Sequence, residues 1–198
     1  MVLSNRVTSG DGMAAKLANM AAHAPDVRLA AVLSLIGCFC ALVLGVTLYA
    51  VARDQDRDLA MLGLMCRVAE GITGAGSIPA TLGLLSIATA AGSSAPDPAA
   101  AGALGAFVLN QSWFIAATFF AVGSTLFSWL LLRGRMVPMW LAALGVIGSA
   151  VVTIGLPLQV MELLPELVTK LMWMPILVFE LVVAVWLIVK GVATPEGR

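Results

Sequence analysis

The chain has 198 residues, 61% of them hydrophobic and 11% charged, with a formal net charge of zero and a mean hydropathy of +1.01. Soluble domains are about half apolar and a quarter charged, so this chain lacks the charge to clothe a water-facing surface of its size. Its basic residues stand singly or in pairs, which excludes the basic patch that a nucleic-acid backbone requires.

In chain order, residues 1–28 read as a polar, Gly/Ala-rich tail in which residues 13–24 form at most a weak amphipathic helix before Pro25. Five stretches follow at 29–52, 59–89, 104–132, 138–158 and 171–189. Each approaches or exceeds the roughly 20 apolar residues that cross a bilayer, and lipid-facing backbone leaves a helix as the form available to them. Ala50-Val51-Ala52 resembles a signal-peptidase site, but the run before it is long enough to span, so the segment is expected to stay. Residues 193–198 form a short tail.

The connectors are short. Arg53 to Asp58 joins the first two spans, a Pro/Ser loop without basic residues covers 92–98, and Arg133-Gly134-Arg135 is a tight basic turn before Pro138. Gln159, Glu162 and Glu166 fall opposite Val160, Leu163, Leu164 and Leu167, which predicts a short helix lying on the membrane surface. The fold class is therefore all-α, a polytopic membrane bundle of about five transmembrane helices plus a short interfacial one. Arg53, Arg57, Arg133, Arg135 and Lys190 would share one side. The positive-inside rule makes that side cytoplasmic, with the N-terminus outside and the C-terminus inside. Arg6, Lys16 and Arg28 weigh against it.

On the second predicted span, Gly63, Arg67, Glu70, Gly74, Ser77 and Thr81 share one helical face, at about 100° per residue. Every one is small, polar or charged, so this face is expected to turn away from lipid. Pro79 is expected to kink the helix. Helical rise puts Arg67 about 12 Å and Glu70 about 16 Å from Leu59, and Glu180 about 15 Å from Lys190. The three charged groups can thus meet at one depth, two acids to one base. Hydrocarbon does not solvate a charge, so such residues mark functional sites or internal clamps. The structural alternative is a neutral Arg67–Glu70 pair on one helix, with Glu180 bonded to a neighbour. Ser77 and Thr81 would line the same face, and Asn110 and Gln111 either extend a polar cavity or tie helices together.

Small residues recur at 37, 41 and 45, at 117, 121 and 125, and at 145, 149 and 153, a spacing that lets helices approach closely in lipid. Trp113, Trp140 and Trp173 near span ends suit interfacial anchors. Cys38, Cys40 and Cys66 lie in apolar runs without metal-ligand spacing. His23, the one histidine, lies outside every span, and no span contains aspartate. Haem ligation by two histidines, Ser–His chemistry, HExxH zinc sites and paired-aspartate proteolysis are therefore unsupported. No cofactor or metal is expected, and catalysis is not favoured.

The segment Asp58-Leu59-Ala60-Met61-Leu62-Gly63-Leu64-Met65-Cys66-Arg67-Val68, the run Phe119 to Gly123, the turn from Arg133 to Pro138 and the stretch Glu180 to Gly191 together resemble a bacterial multi-pass family known only as domain of unknown function 4386. The resemblance covers roughly residues 19 to 192. It implies a compact helical domain in the inner membrane, flags Arg67 and Glu180, and implies a further N-terminal helix that residues 1–28 are too polar to supply as a span. It implies no activity. Three functions are expected in descending order. The first is a non-catalytic bundle that binds, senses or accommodates a partner, the next a proton-coupled permease of small solutes, and the last a membrane enzyme acting on lipid. The expected partners are the bilayer, a second copy or another membrane protein, and an unidentified small molecule.

Overall fold

The computed structural model describes residues 12–90, 97–110 and 114–191, and among them every regular element is a helix. In chain order these are α1 (Met13–Ala22), α2 (Ala24–Ala52), α3 (Arg57–Thr89), α4 (Pro98–Asn110), α5 (Phe114–Arg133), α6 (Met139–Val160), α7 (Glu166–Leu171) and α8 (Met174–Lys190). Five segments among the described residues are long and apolar enough to cross a membrane: α2, α3, α5, α6 and the stretch Glu166–Lys190. Their outward surfaces carry Phe39, Val43, Ile147, Ile154 and Ile188 in the open. Continuous apolar surface on this scale needs a non-aqueous contact, and the chain is a helical membrane protein.

Several boundaries differ from the sequence reading. The expected third span at 104–132 covers the later part of α4, described to Asn110, and α5 as far as Leu132, with residues 111–113 outside the described residues. The 20 residues of α5 are by themselves long and apolar enough to span. The expected surface helix carrying Gln159, Glu162 and Glu166 does not form as one unit. Gln159 belongs to α6, Glu162 sits in a turn with φ of 56°, and α7 starts only at Glu166. Pro165 explains the break, because it disfavours helical geometry at the residue before it. The first span begins earlier than expected, at Ala24, with Pro25 in its opening turn, a position that tolerates proline. α3 runs unbroken through Pro79. α1, at 10 residues, is too short to cross a bilayer.

The chain divides into two compact units. One comprises the described residues of Met1–Cys40 and Gly71–Trp113, and the other those of Ala41–Glu70 and Phe114–Arg198. In the first, Met20, Val27, Leu84 and Leu85 are buried together, with Leu17, Ala24 and Val108 against them. α1 lies along α4.

In the second unit α6 packs along both α5 and α8. Its core contains Ala117, Ala121, Val152, Leu156, Met172 and Ile176. The small-residue seams on α5 and α6 meet, with Thr125 and Thr153 hydroxyls 3.3 Å apart and Ser149 fully buried. A Cβ at Gly148 would sit 2.9 Å from the backbone nitrogen of Ile176, so only glycine permits this approach of α6 to α8. Of the expected tryptophan anchors, Trp140 is exposed at the start of α6. Trp173 instead packs on Phe120, ring centroids 6.3 Å apart, and Trp113 lies outside the described residues.

Candidate functional site

Within the second unit, Arg67 is the centre of a polar cluster and is itself only 4% exposed. α2 supplies the room for it. A Cβ at Gly45 would fall 2.7 Å from the Cβ of Arg67, so glycine there lets α2 close over the start of the arginine side chain. One guanidinium nitrogen donates to Glu70 Oε2 at 2.8 Å. The other donates to Ser124 Oγ on α5 at 2.9 Å and approaches Glu180 Oε1 on α8 at 3.7 Å. The guanidinium carbon also lies 4.9 Å from the centre of the Phe120 ring, within reach of a cation–π attraction. Arg67 Nε has no hydrogen-bond partner.

These contacts are unequal. Glu70 makes a short charge-assisted bond of the strong kind. Glu180 has a single loose contact, and its side chain is 37% exposed. With all three groups ionised the cluster carries one excess negative charge, and it is the Glu180 carboxylate that has coordination to spare.

Beside the cluster lies a cavity of about 280 Å³. Its polar lining is Arg67, Ser124, Ser128 and Glu180, and its walls are aliphatic and aromatic, Leu44, Leu48, Phe127, Phe179 and Leu187 among them. Ser128 is 1% exposed and its hydroxyl has no partner. A buried hydroxyl normally finds one, and Ser128 belongs to the lining of this cavity.

The structure therefore joins Arg67, Glu70 and Glu180. The Ser77 hydroxyl donates to Gly74 O at 2.7 Å and that of Thr81 to Ser77 O at 3.1 Å. Both are turned onto their own helix and neither lines the cavity. Asn110 is the last described residue of α4, and Gln111 lies outside the described residues. Ser124, Ser128 and Phe120 were missed from sequence. Ser124 and Ser128 are four apart on α5, a spacing that puts them on one face, and that was the available signal. Among the described residues no group of three or more His, Cys, Asp or Glu side chains is placed to hold a metal.

A family model, described as Domain of unknown function (DUF4386), matches residues 1–191. The chain belongs to this family. Every residue of the cluster and its cavity falls inside the match. No curated protein and no solved structure matched the chain.

Proposed function

We propose that this membrane protein is a non-catalytic binding bundle whose cavity takes a small ligand with an apolar body and a cationic or hydrogen-bond-donating end. The observation that carries the reading is one cavity holding both a loosely paired carboxylate, Glu180, and an unpartnered buried hydroxyl, Ser128. Apolar pockets with a few convergent polar groups are the usual form of small-molecule sites. At about 280 Å³ this one is just below the usual range of roughly 300–1,000 Å³, so the ligand is small. The excess negative charge favours a cation, and Phe127 and Phe179 in the lining are aromatic rings of the kind that attract one. Arg67 Nε, beside the same cavity, is likewise a buried polar atom without a hydrogen-bond partner.

Binding of tritiated benzyltrimethylammonium to the protein in nanodiscs, with empty nanodiscs as the blank, tests this. Saturable binding is expected, weakened at least about tenfold by Glu180→Gln, since a hydrogen bond to a charged group is worth about 1.5–3 kcal/mol. Ser128→Leu, which fills the cavity, should abolish it. Uptake no greater than that of empty nanodiscs would remove the reading.

The same reading sets the protein in a bacterial inner membrane with the C-terminus cytoplasmic, supported by the basic residues of the connectors between α2 and α3 and between α5 and α6. A C-terminal alkaline phosphatase fusion should then be inactive and a C-terminal green fluorescent protein fusion bright. An active phosphatase reverses the orientation.

A further inference from the structure

A second concavity, of about 260 Å³, lies in the same unit and is lined by Arg135, Met136, Val137, Pro138, Trp186, Lys190 and Gly191. It involves none of the residues of the cavity described above and does not depend on what that cavity binds. Two cations line it, and neither Arg135 nor Lys190 has an ion-pair partner among the described residues.

The backbone under Arg135 is unusual. Met136 N–H donates to Leu131 O at 3.1 Å and Arg135 N–H to Leu132 O at 3.2 Å. These are the two bonds of the turn that commonly ends a helix with a left-handed residue, almost always glycine. Here the left-handed residue is Arg135, at φ 50°, while Gly134 stands one position earlier. A side chain is thus held where its absence would relax the backbone, and that side chain is a guanidinium at the rim of a cavity.

The surroundings favour an anion. Pro138 gives α6 no side-chain cap, so the positive end of that helix opens beside the cavity. Lys190 in the last turn of α8 offsets the negative end of that helix. Trp186 supplies an amphipathic ring of the type that sits at lipid headgroups, and Met139 and Trp140 extend an exposed apolar surface from the rim. A planar guanidinium matches phosphate oxygens in pairs.

We infer that this concavity between the α5–α6 turn and the end of α8 binds a phosphate group through Arg135 and Lys190. The phosphate belongs either to a lipid headgroup or to a soluble anion.

Native mass spectrometry of the full chain, delipidated in neutral detergent, tests this with three probes: short-chain phosphatidylglycerol, the matching diacylglycerol and inorganic phosphate. Phosphatidylglycerol should bind and diacylglycerol should not. Arg135→Gly and Lys190→Gln should each weaken binding roughly fivefold, and together about thirtyfold, from the usual contribution of one basic residue to an anionic lipid surface. Arg135→Gly is the decisive variant, because it should show that fivefold weakening while melting no lower than wild type. The pair Arg53→Gln and Arg57→Gln removes equal charge from the neighbouring α2–α3 connector, which does not line the concavity, and should leave binding intact. Inorganic phosphate that binds with the same dependence on Arg135 and Lys190 identifies a soluble anion as the ligand. Inorganic phosphate that fails to bind or compete identifies the lipid. Equal binding of diacylglycerol, unchanged binding by the double variant, or an equal loss in the Arg53/Arg57 control would each overturn the inference.

Discussion

The two halves of α3 handle polar side chains in opposite ways. Before the middle of the helix, Arg67 pairs with Glu70 and reaches across to Ser124 on α5 and Glu180 on α8. Ser77 and Thr81, after it, spend their hydroxyls on carbonyls of α3 itself. The difference is one of chemistry rather than position. A hydroxyl is satisfied by a carbonyl three or four residues back, at little cost to the helix. A guanidinium with five donors is not, and in a low-dielectric interior it must gather partners from other helices. A helical face of small and polar residues therefore does not define one site. Only its charged members demand one.

The largest effect should come from removing the base. Arg67→Met leaves Glu180 without its cation and deprives Glu70 of its 2.8 Å bond. Breaking a buried ion pair from one side costs about 3–5 kcal/mol, and unfolding in mixed detergent micelles would read it. Neutralising the acids as well, in Arg67→Met with Glu70→Gln and Glu180→Gln, should recover most of that loss, because the penalty lies in the stranded charge and not in the missing contacts. A single variant within about 1 kcal/mol of wild type would mean that water already solvates the cluster. The contrast drawn between the two halves of α3 would then fail.

Much of the architecture was legible in the sequence because lipid imposes a simple rule: apolar length gives spans. Its failures fell where that rule has no purchase. The Gln159–Glu166 segment has helical amphipathicity, but Pro165 and the left-handed Glu162 override it locally. At the site, Arg67, Glu70 and Glu180 announced themselves by charge. Ser124 and Ser128 did not, because a serine in a membrane helix is usually content with its own backbone, and nothing local distinguishes one that bonds across helices. The role of Gly45 was hidden for a related reason. Its spacing suggested a packing seam, while its structural effect is to make space for the arginine side chain.

A matched pair of small substitutions sharpens the same contrast. Ser124→Ala removes an acceptor from a buried guanidinium nitrogen whose other contact, to Glu180, is 3.7 Å long. Interhelical hydrogen bonds in membranes average about 0.6 kcal/mol and reach about 1.7, and a charged donor should place this one near the upper value. Ser77→Ala removes only a bond from a side chain to its own helix, which slightly weakens helices when present, so its effect should lie within about 0.5 kcal/mol of zero. Measured side by side in one detergent, the two Ser→Ala changes delete the same atom at two places on the molecule. Equal losses would mean that the Arg67–Ser124 bond contributes no more than a surface hydroxyl does. A loss confined to Ser124→Ala would show that the polar cluster, and not the polar stripe on α3, is what ties the second unit's helices together.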